Sequence, residues 1–436
     1  MRIKLFIISL VTIALFQFCI QPTSTVLTEA APESVGMSSE RLDTLDSFIQ
    51  RYIDNNWLPG GVFLVARKGK IVYYKNFGYR SDKKDSPYQK DDIFRIASMT
   101  KAITTVSTMQ LYERGMLGLD DPVYRYIPAF KESRVLDTFN KTDSSYTTVP
   151  VKKPITIRNL LTHTSGITYG SFNPGKIKAV YAKHGILDVG LSHNEWTTEE
   201  FINRLAKVPL VFQPGEKYMY GLNMDVLGRV IEVVSGLPLN QYFKKNIFEP
   251  LGMKDTYFYL PENKYGRLAP IYSEPEKGKF QMAESTGISA SLEYPKNKDI
   301  GHYAGGGGLS STAMDYATFI QALANNGEYN GFRLLSRKTI EVMTSDQMIL
   351  LNEQGKGFSK IPGMTYGLGF YLLESEANGI DSRSPGTFGW GGYFNTKFFI
   401  DPQEALIFVG MTQVVGYRHG EVWDRINAII YGAIDD

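Results

Sequence analysis

Two strand patterns in hairpin form lie near opposite ends of the chain, and they constrain how everything between them can fold. Residues 62–66 and 71–77 flank Lys68-Gly69, where glycine accommodates the turn backbone. Residues 396–400 and 405–411 flank Asp401-Pro402-Gln403-Glu404, a turn sequence. Between the two pairs the apolar spacing is mostly helical. Leu42, Leu45, Phe48 and Ile49 predict a helix over 39–52, and Ile103, Val106, Met109 and Tyr112 predict another over 100–114, stopped by Gly115. Thr197 with Glu200 forms a capping box. Helices are also expected over 225–235, ending at Gly236, over 313–325 and over 421–430, with Gly305 to Gly308 read as a flexible loop. Strand pairs at both ends with helices between them imply an α/β chain of the α+β kind. One antiparallel sheet is built from both chain ends with flanking helices, and a mainly helical region, about 131–295, is inserted.

The composition excludes several function classes. Hydrophobic residues make up 43% and charged residues 21% of the 436, enough to bury a sizeable core. A formal charge of +2, with no block of like charge, argues against nucleic acid and anionic membrane surfaces and leaves a small molecule as the expected partner. Residues 1–20 read as an export signal, since Arg2 and Lys4 precede an apolar run from Leu5 to Phe18 that is short for a membrane span. The sole cysteine, Cys19, rules out an internal disulfide. It is either a lipid-acylation site or an incidental residue of a removed signal, because Phe16-Gln17-Phe18 lacks the small residues such processing wants. Residues 21–32 are polar and read as a tether. The expected location is exported, periplasmic or envelope-anchored, with membrane attachment only through Cys19.

A serine hydroxyl needs a partner that removes its proton and donors that receive the developing oxyanion. Ser98 and Lys101 suit that role, because positions three apart share a helix face and the expected helix begins at the serine. The spacing alone also fits a plain capping serine, and Ser81 with Lys84 repeats it. That second copy sits in Ser81-Asp82-Lys83-Lys84-Asp85, where a lysine stays solvated, whereas Ser98 leads into an apolar helix. No Gly-x-Ser-x-Gly elbow occurs. His163, His184, His193, His302 and His419 are scattered and form no metal motif, so neither a metal nor any other cofactor is expected, and most of these histidines read as structural or surface residues.

Several ordered segments extend the pattern: Phe94-Arg95-Ile96-Ala97-Ser98-Met99-Thr100-Lys101, Leu160-Leu161-Thr162-His163-Thr164-Ser165-Gly166, Gln213-Pro214-Gly215-Glu216, Asp225-Val226-Leu227-Gly228, Pro250-Leu251-Gly252-Met253 and Gly306-Gly307-Gly308-Leu309-Ser310-Ser311-Thr312. On these the chain resembles the serine β-lactamase and penicillin-binding-protein fold, in the class C-like branch that includes the family VIII carboxylesterases. The resemblance runs from about Glu33 to the C-terminus and implies a single hydrolase domain over 33–436. It places Tyr220 as the tyrosine of the second motif, the general base, with Leu222 where a β-lactamase usually has asparagine and Asn223 one position off register. It places Trp390-Gly391-Gly392 at the third motif, where most β-lactamases have Lys-Thr-Gly, and pairs the amides of Ser98 and Tyr393 as an oxyanion hole. Trp390, Gly391, Gly392 and Leu222 are the implied substrate contacts.

The resemblance implies an acyl-enzyme on Ser98, with Lys101 and Tyr220 handling the proton and the substrate a small-molecule ester or amide. Leu222 and Trp390 both replace polar groups that fix a β-lactam, so a carboxylesterase for short-chain or small neutral esters is the first expectation. The 27 Tyr and 25 Phe suffice to line such a pocket. A β-lactamase or D-amino-acid peptidase, with Lys397 or Arg418 supplying the missing cation, is the second. A non-catalytic envelope or peptidoglycan-binding protein is the third. Oligomeric state is left open.

Overall fold

The computed structural model describes residues 26–173, 175–186, 196–288, 290–296 and 298–436. The expected export signal, Cys19, the first part of the tether and His193 lie outside the described residues. No helix among the described residues is long and apolar enough to cross a membrane.

Both expected hairpins form, and they meet in one eight-stranded sheet. Its strands are β1 (Thr28–Glu29), β2 (Gly60–Arg67), β3 (Lys70–Gly78), β4 (Met364–Tyr366), β5 (Tyr371–Leu373), β6 (Phe388–Gly391), β7 (Lys397–Asp401) and β8 (Leu406–Met411), in spatial order β1-β3-β2-β8-β7-β6-β5-β4. All pairings are antiparallel except β1 with β3, where Thr28 and Glu29 lie beside Lys70 and Ile71. The last residues of the expected tether are therefore an edge strand. The two chain ends join where β2 pairs β8, with Leu64 opposite Val409.

Every residue of β2 is buried, because the sheet is covered on both faces. Val62 and Leu64 point into the larger core, where α2 (Thr100–Glu113) and α4 (Ala313–Ala324) pack. Phe63 and Val65 point the other way, onto α1 (Thr44–Asp54) and α5 (Val422–Gly432). Such alternation is what a period of two residues imposes on a strand. The inserted region adds α3 (Asn223–Ser235) and shorter helices. It also carries two hairpins, Arg134–Phe139 with Tyr146–Pro150 and Tyr272–Glu276 with Lys279–Met282, which the helical reading of this stretch did not contain.

Helix α2 differs from its sequence reading in one informative way. The spacing predicts one apolar side, yet every residue from Thr100 to Leu111 is buried. Two of its polar positions tie it to the 305–309 segment: Thr100 Oγ1 accepts from Leu309 N at 3.0 Å, and Thr104 Oγ1 donates to the Gly305 carbonyl at 2.6 Å. The 305–308 loop, expected to be flexible, is closely packed against both α2 and α3. A Cβ on Gly305 would lie 2.5 Å from the Met224 carbonyl oxygen, and one on Gly306 would lie 2.4 Å from Asp225 Oδ2. These glycines permit close approach of the neighbouring helix.

Candidate active site

Ser98 lies in a short turn, Ala97–Met99, that runs straight into α2. Ala97 before it has φ 41°, a left-handed conformation that costs an alanine energy and is tolerated only where the surroundings enforce it. Two residues before Ala97, Arg95 anchors the segment that leads into the turn, its buried guanidinium donating to the carbonyls of Tyr294, Ala269 and Leu292. Burial pushes Arg95 down to about 10, and three carbonyls take the place of a carboxylate partner.

The Ser98 hydroxyl caps no helix. Tyr220 OH donates to Ser98 Oγ at 2.7 Å, and Lys101 Nζ donates to the same oxygen at 3.2 Å. Lys101 is fully buried and also donates to the Gly306 carbonyl at 2.5 Å and to Tyr169 OH at 3.2 Å. Three acceptors thus match the three donors of an ammonium. Its nitrogen lies 4.5 Å from the centroid of the Tyr220 ring.

The groups around this trio are held neutral. Burial pushes the phenols of Tyr169, Tyr218 and Tyr366 well above their ordinary range. Burial and, second, the charge of Lys101 hold His163 well below its ordinary value, so its imidazole is uncharged. The His163 ring packs 4.8 Å from that of Tyr220, and Asn223 Nδ2 meets His163 Nδ1 at 2.9 Å. Among the described residues Tyr220 is the one phenol hydrogen-bonded to the serine, and its neighbours His163 and Tyr169 are neutral.

Strand β6 forms the opposite wall. Its pairing with β5 stops at Gly389 opposite Tyr371, so Trp390 and Gly391 continue without a partner on that side. Gly392 is pressed against the turn that carries Ser98, since a Cβ there would lie 2.5 Å from the Ile96 carbonyl oxygen. The Tyr393 amide follows directly and donates to no backbone acceptor among the described residues. A cavity of about 520 Å³ opens in front of Ser98, with Phe172, Tyr220, Tyr371 and Trp390 among its walls.

The sequence model for the β-lactamase family matches residues 45–430. The chain belongs to the β-lactamase family. Esterase EstB of Burkholderia gladioli is 30% identical over 377 residues, covering 84% of this chain and 89% of that protein. Lovastatin esterase of Penicillium rubens is 30% identical over 393 residues, covering 85% and 92%. Among solved structures, EstCE1, a hydrolase with promiscuous acyltransferase activity, superposes with a TM-score of 0.75 at 28% identity, covering 90% of this chain and 99% of that one. The chain is an enzyme, a serine hydrolase, and the expected resemblance and fold class hold.

In this β-lactamase-family hydrolase the expected residues fall into three groups. Ser98, Lys101 and Tyr220 converge on one oxygen, while Trp390, Gly391, Gly392 and Tyr393 line the cavity beside them. Leu222 does not join them. It is fully buried in the main core and is not among the described residues lining the cavity, because it heads α3 and turns inward as the helix begins. Of the two alternative cations, Lys397 lines the cavity, whereas Arg418 is bound to Glu274 and the Pro275 carbonyl. Tyr169, Gly306, His163 and Asn223 escaped the sequence reading as site residues. His163 and Asn223 stood in or beside quoted motifs, but Tyr169 carries no local signal at all. Three of the histidines, His163, His302 and His419, prove to be buried, and among the described residues no group of acidic, histidine or cysteine side chains could hold a metal ion.

Proposed function

We propose that the enzyme is a carboxylesterase for small esters that works through an acyl-enzyme on Ser98. The observation that carries this reading is the placement of Ser98 Oγ between Tyr220 OH and Lys101 Nζ, at 2.7 and 3.2 Å. The reaction requires Tyr220 as the phenolate, its charge facing the Lys101 ammonium 4.5 Å from the ring centroid; Ser98 Oγ then attacks the ester carbonyl as its proton passes to that phenolate oxygen. Lys101 balances the negative charge that Tyr220 and the serine oxygen take up. The amides of Ser98 and Tyr393 receive the oxyanion. The C–O bond to the alcohol breaks, and Tyr220 returns the proton to the departing oxygen. Water then attacks the acyl carbon, its proton goes to Tyr220, and Ser98 Oγ leaves protonated.

The aromatic walls and the tryptophan at the third motif support short, uncharged groups next to the scissile bond. Hydrolysis of para-nitrophenyl butyrate and of nitrocefin, by wild type and Ser98→Ala, tests the reading. Ester turnover that disappears in Ser98→Ala is expected. Turnover of nitrocefin without the ester would establish a β-lactamase instead, and a Ser98 that never takes up a fluorophosphonate label would favour a binding protein. We further infer that the mature chain is exported, which signal cleavage in a fractionated host would test, with fatty-acid labelling reporting on Cys19.

A further inference from the structure

One wall of the Ser98 cavity is charged, and the ester reaction described above makes no use of it. Lys397 on β7 stands directly opposite Gly391 on β6. Paired residues of neighbouring antiparallel strands project to the same face, here the α5 face that Phe399 also takes, opposite to Trp390, and the bare backbone of Gly391 is all that β6 places between Lys397 and the cavity. Even a Cβ there would approach only the Thr396 carbonyl oxygen, at 3.3 Å. No side chain on β6 therefore screens Lys397 from the cavity, and Lys397 lines it together with Ser98.

The charge on this wall is unbalanced. Among the described residues lining the cavity, Lys397 and Arg383 are charged and neither is acidic. Arg383 is already satisfied: it is 5% exposed, lies 2.6 Å from Asp381 and donates to Tyr371 OH at 2.5 Å. The Lys397 ammonium has no hydrogen bond or ion pair among the described residues. Asp424 and Asp381 act on it only from a distance, and neither lines the cavity. Burial, and then the charge of Arg383, push Lys397 down to about 8, which leaves it mostly an ammonium at neutral pH. A cation drawn partly out of water without a counter-charge is unfavourable, and an anion arriving with the ligand relieves it.

We propose that Lys397 is a specificity-determining residue that binds a carboxylate carried by the substrate, so that an acidic ester is preferred over its uncharged counterpart. This rests on the esterase reading of Ser98 and narrows its substrate class: uncharged at the scissile bond, anionic beyond it. The carboxylate belongs to either the alcohol or the acid part of the ester.

Two matched pairs test it. In the first, para-acetoxybenzoate and its methyl ester differ only by a carboxylate on the alcohol side. In the second, the mono-para-nitrophenyl ester of adipate and its methyl diester differ on the acid side. In wild type near neutral pH, the acidic member of at least one pair should have a KM lower by about tenfold or more. Lys397→Met should bring that KM ratio to about one. Lys397→Arg should keep it and carry it above about pH 9, where wild type loses it, because arginine stays charged there. KM ratios that are the same in all three proteins would overturn the proposal. If wild type hydrolyses none of the four esters, the esterase reading fails on its own. The carboxylate subsite is then judged by calorimetry on Ser98→Ala, where tighter binding of an acidic ester that vanishes on adding Lys397→Met supports it, and equal binding refutes it.

Discussion

The chain spells Ser-x-x-Lys twice, and the two copies end in opposite surroundings. At Ser81 the hydroxyl donates to Asp85 Oδ1 at 2.5 Å in an exposed turn, and Lys84 points to solvent. At Ser98 the lysine is fully buried, its three donors are engaged, and a tyrosine reaches the same serine oxygen. Four residues of identical spacing thus give a solvated turn in one place and the proposed reaction centre in the other. The difference lies in what is brought to them: the Gly306 carbonyl from 205 positions away, Tyr220 from 122 and Tyr169 from 68. A nucleophile is a property of the surroundings of a serine, and a tetrapeptide cannot supply them.

The sharpest way to break this comparison is to truncate both serines. Ser98→Ala should lower kcat/KM for para-nitrophenyl butyrate by about 10,000-fold or more, with fluorophosphonate labelling lost, while Ser81→Ala should leave both within about twofold. Loss of labelling in Ser81→Ala would reverse the assignment. Next in size, Tyr220→Phe removes the phenol oxygen and keeps the ring, and should reduce kcat by about 100- to 10,000-fold. Its folding, followed by circular dichroism, should be unchanged.

Gly306→Ala probes the support under Lys101. A methyl group 2.4 Å from Asp225 Oδ2 forces the loop to shift, at a stability cost of about 1–3 kcal/mol, and moves the carbonyl that anchors the ammonium. Activity should fall about tenfold or more, together with the denaturation midpoint. Tyr169→Phe removes one of three acceptors and should cost kcat less than the glycine change does, about tenfold at most.

A third lysine extends the contrast to pH. Lys397, held down to about 8 by burial and Arg383, is disfavoured as an ammonium in the folded protein but not in the unfolded chain, where lysine titrates near about 10.4. Below about pH 8 both states bind the proton and the folded state carries the full cost. Between the two values the unfolded state holds more protons, so stability rises with pH. Lys397→Met should therefore raise the melting temperature at neutral pH, with the gain shrinking as pH climbs toward the unfolded value.

Much of the architecture was legible because strands and helices announce themselves locally. The alternation around Val62 to Val65, the capping box at Thr197 and Glu200, and Gly236 in its left-handed conformation after α3 are each written within a few residues. Ser98, Lys101, Tyr220, Trp390 and the glycines after it were readable through their ordered motifs. Leu222 was misplaced because a motif register does not say which way a side chain turns as a helix starts. The close packing of α2 and α3 on the 305–308 loop was not legible, because four residues cannot reveal what closes in on them. Tyr169 and Arg95 act through partners 68 to 199 positions away, a separation no local pattern encodes.

The junction of the two chain ends in the sheet also sets a timetable. Strand β2 leaves the ribosome early and cannot complete its pairing until β8, some 340 residues later, has been made. The wall that faces Ser98, on β6, arrives within the same late stretch, and α5, which covers the far face, comes last of all. A growing chain thus carries its serine for most of its synthesis without the strand that would make it useful. A chain cut short before β6 lacks the wall that faces Ser98, and one cut before β8 leaves β2 unpaired along one edge.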